Sequence, residues 1–142
     1  MTVQTGNPFE DEPRDLFHAE NVHGGVETPV RPLELRQWAT WLRLNEPRQA
    51  RGVLRRRQRD GTLHVCAIGA LEEIGAAEAT FLFSPVNEPK FMRQILLMND
   101  SLGWTFPQIA DWLDSIADGT LSLGRALEVR VPGDLPLREP VA

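Results

Sequence analysis

The segment over residues 103–119 (GWTFPQIADWLDSIADG) constrains the fold most strongly, because its own sequence carries both ends of a helix. Thr105, followed by Gln108 three residues later, is the pattern of a capping box. Trp104 and Ile109 have the spacing of a hydrophobic staple across that cap. Apolar residues then recur at helical spacing until a glycine supplies the stop. The segment therefore predicts an amphipathic helix with one buried face.

Three further helices are predicted from the same periodicity. Pro32 suits the first position of a helix over 32–44, which ends before a second proline. Residues 66–76 place small and apolar side chains on one face and predict a short second helix. A third helix begins near Pro89 and carries apolar residues in helical period. Together with the capped segment, the chain has about four helices.

Two segments predict β-structure. The stretch 53–65 has Asp60-Gly61 as a hairpin turn between short apolar flanks. Over 121–131, apolar residues alternate with polar and small ones, and this pattern predicts a C-terminal strand. Such a strand needs an edge to pair with, either the hairpin of its own chain or another subunit. The predicted fold class is α+β, a small mainly helical domain with a β-hairpin and a C-terminal strand, flanked by extended arms.

Charge divides the chain into three parts. Residues 1–30 carry six acidic side chains against one arginine, so the whole net charge of −5 lies there. Residues 31–118 are electrically balanced and form the predicted compact core. Residues 119–142 are also balanced and form the predicted strand and a proline-rich tail. The sequence thus predicts one domain with two appendages.

The acidic N-terminal arm is too polar to order itself. It is interrupted by prolines and lacks helical periodicity, so its ordering entropy must be offset by a surface. That surface is either the core of its own chain or a neighbouring protein. Phe9, Leu16 and Phe17 are the side chains that could anchor it.

An arginine cluster lies over the predicted hairpin, at Arg48, Arg51, Arg55, Arg56, Arg57 and Arg59. Three interpretations remain open: contact with an acidic protein surface or with the chain's own arm, a solvated face, or contact with nucleic-acid phosphates. The predicted partner-binding residues are the arm anchors together with Arg48, Arg51, Arg55, Arg57, Arg59, Leu127, Val129 and Val131.

No motif indicates catalysis, and we predict neither a cofactor nor a metal site. Cys66 is the single cysteine, which excludes an internal disulfide and a cysteine-built zinc site. The aspartates at 111, 114 and 118 form a helical stripe typical of a solvated acidic face. No apolar run approaches the ~18 residues of a membrane span. The expected location is a virion or the host cytoplasm, with no membrane partner.

Three segments resemble a family of small proteins of no established activity that is common in actinobacteriophages and actinobacteria. The family pattern runs Gln-x-x-Gly-x-Leu-Arg, then Cys-Cys-Leu-Gly-Val-Leu-Cys, then Leu-Asn-Asp followed by Ser-Phe-x-x-Ile-Ala-Asp. The matching segments here are RQARGVLRRR (48–57), CAIGALEE (66–73) and LLMNDSLGWTFPQIADWL (96–113). Ala67 and Glu72 replace two of the cysteines, so no thiol or metal role is expected for that helix.

The resemblance implies a phage-type small domain, in which Asn99-Asp100 has a capping and turn role. Long arms with prolines are typical of assembly proteins. The first hypothesis is a non-catalytic structural protein of a bacteriophage virion, of minor capsid, decoration or connector type. It would bind virion subunits through its arms. The alternative is a small intracellular regulator that binds DNA or a host protein through the Arg48–Arg59 cluster.

Overall fold

The structure, a computed structural model, describes residues 29–75, 83 and 86–136. Within these ranges the α-helices are α1 (Pro32–Leu44), α2 (Ala70–Glu73), α3 (Glu88–Leu96), α4 (Phe106–Ala117) and α5 (Leu123–Ala126). The strands β1 (Arg55–Arg57) and β2 (Leu63–Val65) pair as an antiparallel hairpin between α1 and α2 in sequence. Single turns of 3₁₀-helix cover Glu46–Arg48 and Pro132–Asp134, and a π-helical turn covers Leu97–Ser101. The predicted small α+β fold is confirmed.

The core is aromatic and lies between α1, α3 and α4. Trp38, Phe91 and Trp112 are fully buried, one from each of these helices. The Phe91 ring stacks on Trp112 with centroids 5.1 Å apart and meets Trp38 edge-on at 6.2 Å. The Trp38 indole also donates to the Ala67 carbonyl at 2.9 Å, which ties α1 to the chain before α2. Burial of large rings supplies most of the driving force in a domain of this size.

The helices predicted from local signals begin and end where expected. α1 covers Pro32–Leu44 with its proline in the first turn. The Thr105 hydroxyl accepts from the Gln108 backbone N–H at 3.3 Å, and the Gln108 side chain accepts from the Thr105 N–H at 2.9 Å. Both halves of the capping box are therefore present at the start of α4.

The hairpin prediction is also confirmed. Arg55 lies opposite Val65 and Arg57 lies opposite Leu63, and Gln58 pairs with Thr62, so the loop has three residues, 59–61, and includes the predicted Asp60-Gly61 pair. The Thr62 backbone N–H donates to the Asp60 carboxylate at 2.8 Å. This hydrogen bond stabilises the ionised form and lowers the pKa of Asp60.

The predicted C-terminal strand over 121–131 is wrong. The Ser122 hydroxyl caps a short helix by accepting from the Arg125 N–H at 3.3 Å, and α5 follows. Leu121, Leu123 and Val129 are buried in the same hydrophobic core as α1 and α4, so that core continues past residue 118. The apolar side chains of this segment therefore bury on the chain's own core rather than along a sheet.

Hydrogen bonds from distant side chains explain why the segment does not become a strand. Three of its carbonyls accept from polar groups of the core instead of from a neighbouring strand. The donors and acceptors are Gln94 Nε2 to Val129 O (2.7 Å), Trp104 Nε1 to Arg130 O (3.1 Å) and Trp112 Nε1 to Ala126 O (3.1 Å). With these carbonyls satisfied, the backbone has no need of a strand partner.

The second helix is shorter than predicted, and the third continues differently. α2 has only four residues, Ala70–Glu73, because Cys66–Gly69 forms a turn instead. A side chain at Gly69 would place its Cβ 2.5 Å from the Leu54 carbonyl oxygen, so this turn requires glycine. After α3 the chain widens into the π-helical turn, which aims Asn99 into the protein.

Candidate interaction surface on the hairpin

One buried amide joins three segments that are distant in sequence, 48–57, 66–73 and 96–113. The Asn99 side chain is fully buried, and its Oδ1 accepts from Gln49 Nε2 at 3.0 Å and from the Ala67 N–H at 3.2 Å. Its Nδ2 donates to the Ala50 carbonyl at 2.9 Å and to Asp100 Oδ1 at 2.7 Å. The amide therefore uses its full hydrogen-bonding capacity within the protein. The expected turn role is replaced by a tie between distant segments.

Gln49 extends this network to the start of α4. Its Oε1 accepts from the Phe106 N–H at 2.9 Å, and its Nε2 donates to the Trp104 carbonyl at 2.9 Å. The Phe106 N–H lies in the first turn of α4, where an intrahelical acceptor is missing. We name Gln49, Asn99 and Asp100 the amide node.

Three of the clustered arginines serve the fold. Arg48 donates to the Leu63 carbonyl at 2.8 Å, and its guanidinium lies 5.3 Å from the centre of the Trp41 ring. Arg51 donates to the Asn99 carbonyl. Arg55 forms an ion pair with Glu72 of α2. These side chains hold the hairpin against its neighbours and are committed to partners in the same chain.

The remaining arginines of the cluster lie at the surface. Arg56, Arg57 and Arg59 are exposed, and Arg57 donates only to the Gly61 carbonyl of its own turn. None of the three pairs with an acidic side chain among the described residues. Beside them, Val53 is 37% and Leu54 48% exposed. We name these five residues the hairpin surface; successive residues of β1 point to opposite faces, so Arg56 lies on one face of the hairpin and Arg57 on the other.

The outer edge of β1 is open within the described part of the chain. Backbone hydrogen bonds link Gln58 N to Thr62 O at 2.8 Å and Cys66 N to Leu54 O at 3.0 Å. In an antiparallel pair these bonds recur at every second residue. The N–H and C=O groups of Arg55 and Arg57 therefore point away from β2, and no described residue bonds to them.

The opposite edge of the hairpin is covered. The Ala50 N–H donates to the Val65 carbonyl at 2.8 Å, and Arg48 occupies the Leu63 carbonyl. The hairpin consequently offers one edge, that of β1, to a further strand. Sequence analysis missed this edge, because the loop has three residues, 59–61, and a two-residue loop at Asp60-Gly61 would have turned the opposite set of amides outward.

The other predicted partner-binding residues in the described part of the chain do not belong to the hairpin surface. Val129 is buried, Leu127 is half-buried against the core and Val131 is 53% exposed. Phe9, Leu16 and Phe17 lie outside the described residues, as does most of the acidic arm.

The predicted acidic face of α4 is an inter-helix clamp. Arg43 of α1 reaches Asp111 and Asp114 with one nitrogen each, at 2.7 Å in both cases. Partial burial tends to lower the pKa of Arg43, but the hydrogen bonds and charges of the two carboxylates outweigh it and raise that pKa. Asp118 instead accepts from Thr120 beyond the helix end.

Replacing Arg43 with glutamine is expected to lower the free energy of unfolding by about 0.5–1 kcal/mol, since the pairs are partly exposed and screened by solvent. Urea denaturation at low ionic strength measures the change. Arg36→Gln on the exposed side of α1 is the matched control and should change little. Because salt screens the clamp, the difference should shrink at about 1 M salt. An equal loss at both salt concentrations would contradict the electrostatic explanation.

Other chemistry is sparse in the described residues. Cys66 is buried, and its sulfur accepts from the Gly69 N–H at 3.4 Å, as expected of a core residue. The described residues contain no group of three or more His, Cys, Asp or Glu side chains arranged to hold a metal ion. None of the helices described is long and apolar enough to cross a membrane. An open cleft of about 650 Å³ lies beside α3 and mixes Lys90 and Arg93 with apolar side chains.

Comparison of the chain with protein-family models, with curated proteins and with solved structures gave no match.

Proposed function

We propose that the chain is a non-catalytic structural protein of a bacteriophage virion, of minor capsid, decoration or connector type, that binds neighbouring subunits. The hairpin surface and the adjoining edge of β1 carry this proposal, because within the described residues Arg56 and Arg59 pair with no acidic side chain and the outward backbone groups of Arg55 and Arg57 have no partner. Arginine is enriched at protein interfaces, where its planar group bonds several acceptors at once. The resemblance of three segments to a family common in actinobacteriophages supports the virion setting.

The amide node supports a non-catalytic role for the motif residues. Asn99 and Gln49 bond only to groups of the same chain; Asn99 uses all four of its hydrogen-bonding sites there, and Gln49 uses both donors and one acceptor site. A polar side chain that binds a substrate needs a donor or acceptor left over. Holding distant parts of the chain together is therefore a sufficient structural reason for Gln49 and Asn99 to be amides.

The contact would be made by the hairpin rather than by the C-terminal segment. Residues 121–131 fold back on the core, so they cannot serve as a donated strand. The hairpin surface offers cations and a small apolar patch, which together fit an acidic protein surface with an apolar centre. Strand addition along β1 would add backbone hydrogen bonds to the same contact.

The alternative, a regulator that binds nucleic acid through the cluster, is favoured by the three exposed arginines. Arg48, Arg51 and Arg55 already bond to other elements of the chain, so the cluster arginines that can reach phosphates without breaking such a contact are Arg56, Arg57 and Arg59. Each phosphate contact contributes about 0.9 to the slope of log affinity against log salt. A complex with duplex DNA that uses these three arginines alone should therefore have a slope of about −2.7.

The test is incorporation of full-length protein carrying Arg56→Glu/Arg59→Glu into particles formed in the native host. We expect particle-bound protein, quantified by mass spectrometry of purified virions, to fall at least about tenfold, because two like charges would oppose an acidic partner. Arg36→Glu/Arg125→Glu is the charge-matched control on other exposed positions and should be incorporated normally.

Normal incorporation of the hairpin variant would contradict the proposal. So would wild-type protein that is missing from nuclease-treated particles but co-purifies with nucleic acid, a result that favours the regulator.

A further inference from the structure

The open cleft beside α3 follows one face of that helix and the π-helical turn after it. Lys90, Arg93 and Leu97 line it and are three and four residues apart, so they share one side of the helix. Asp100 lines it from the π-helical turn, and Leu127 lines it from the segment after α5. A volume of about 650 Å³ lies within the range of roughly 300–1,000 Å³ that is typical of binding sites.

Hydrogen bonds hold the two segments that line this cleft against each other. Gln94 of α3 is buried, and its Nε2 donates to the Val129 carbonyl at 2.7 Å. Arg130 Nη1 donates to Gln94 Oε1 at 3.1 Å and to the Leu127 carbonyl at 3.2 Å. These bonds fix the position of Leu127 relative to α3. The cleft is therefore formed in advance, which lowers the entropic cost of binding.

The lining carries an excess of positive charge. Lys90 and Arg93 are exposed, and neither pairs with an acidic side chain in the part of the chain that the structure describes. The carboxylate among the described lining residues is that of Asp100. It already accepts from the Gly52 N–H at 3.0 Å and from Asn99 Nδ2 at 2.7 Å. The two cations therefore favour a negatively charged group in the cleft.

Apolar side chains complete the lining. Leu97 and Leu127 are half-buried, and Leu96 is 39% exposed. Covering these side chains removes apolar surface from water, which favours an occupant that carries apolar groups beside its negative charge. Sites for small molecules bury most of the ligand surface, whereas an open cleft covers one side of its occupant. An amphipathic segment of a protein, held also by its own fold, fits such a cleft.

The cleft adjoins the hairpin surface. Asp100 lines the cleft and accepts from the Gly52 N–H, and Gly52 is followed by Val53 and Leu54 of the hairpin surface. Both regions combine cations with exposed apolar side chains. One acidic partner can therefore contact both.

We propose that the α3 cleft binds an acidic amphipathic segment of a partner protein. The carboxylates of this segment pair with Lys90 and Arg93, and its apolar side chains cover Leu96, Leu97 and Leu127. The inference goes beyond the proposed function, because it assigns a second surface and does not require the partner to be a virion protein.

Selection from a random peptide library displayed on yeast tests this proposal. The target is full-length protein carrying Arg56→Glu/Arg59→Glu, so that the hairpin arginines do not compete for acidic peptides. Enriched peptides should carry an excess of aspartate and glutamate beside leucine, isoleucine or phenylalanine. Their affinity should fall at least about tenfold when the target also carries Lys90→Glu/Arg93→Glu, because like charges then oppose the peptide.

A charge-matched control and a second readout locate the contact. Arg36→Glu/Arg125→Glu, added to the target instead, reverses two exposed cations that do not line the cleft and should leave peptide affinity unchanged. Arg125 is two residues from Leu127, a spacing at which side chains of a helix do not face each other. Bound peptide should shift the backbone amide signals of Leu97 and Leu127 in NMR spectra.

Four outcomes would overturn the proposal. They are enrichment of no peptide, enriched peptides without an acidic excess, equal affinity for the Lys90→Glu/Arg93→Glu target, and bound peptides that leave the Leu97 and Leu127 signals in place. Shifts of those signals with dodecanoate but with none of the peptides would assign the cleft to a small anionic amphiphile, which also contradicts the proposal. The experiment involves no particle, so its result is independent of the incorporation test.

Discussion

Replacing Asn99 with alanine is expected to lower the free energy of unfolding by about 3–5 kcal/mol. The substitution leaves the Ala50 carbonyl and the Ala67 N–H without their buried partner, and it removes an acceptor from Gln49. Each unsatisfied buried group costs about 1–3 kcal/mol. Urea denaturation followed by tryptophan fluorescence measures the loss.

Ser101→Ala is the control for this prediction, because Ser101 lies in the same π-helical turn but is exposed. It should change stability by no more than about 0.5 kcal/mol. A double-mutant cycle with Gln49→Ala should give a coupling energy of about 1–3 kcal/mol, since the two amides share a hydrogen bond. A loss below about 1 kcal/mol for Asn99→Ala would mean that water replaces the amide and that the node is not a structural centre.

Replacing Trp112 with alanine is expected to cost about 3–5 kcal/mol, the range for deleting a large buried ring. The indole is fully buried, stacks on Phe91 and donates to the Ala126 carbonyl. Its removal leaves a cavity between α3 and α4 and frees the C-terminal segment from one of its ties. The loss of stability is measured by urea denaturation with far-UV circular dichroism.

Two further variants separate packing from hydrogen bonding at this position. Trp112→Phe keeps a ring on Phe91 but removes the indole donor, so we expect a smaller loss of about 1–2 kcal/mol. Leu44→Ala, at a side chain 77% exposed, should change stability by less than about 0.5 kcal/mol. If Trp112→Phe were as destabilising as the alanine variant, the hydrogen bond to Ala126 rather than the ring would hold the segment.

The parts of the fold that were predictable are those whose signals lie within a few residues. The Thr105 capping box and the Asp60-Gly61 turn each specify their own backbone geometry, and both were confirmed. The 121–131 segment was predicted wrongly because alternation alone cannot show where its carbonyls will find donors. Those donors are the side chains of Gln94, Trp104 and Trp112, which all precede the 121–131 segment in the sequence.

The candidate site divides in the same way. The arginine cluster and the hairpin were visible in the sequence, but the register was not, because the loop has three residues, 59–61, and not the two of an Asp60-Gly61 turn. Which arginines bond to other elements of the chain was not predictable, because Arg48, Arg51 and Arg55 find their partners in β2, the π-helical turn and α2. The role of Asn99 was missed for the same reason, because its hydrogen-bond partners Gln49, Ala50 and Ala67 lie in other segments of the sequence.

The amide node also bears on the order of events during folding. Asn99 bonds to residues 32 to 50 positions away in the chain, apart from its neighbour Asp100. Closing such long loops costs entropy before any of these hydrogen bonds can form, whereas the hairpin and the capped helix form from local contacts. We expect the node to form late, after the transition state. Its hydrogen bonds then set mainly how long the native state lasts before it opens, and only weakly how fast it is reached.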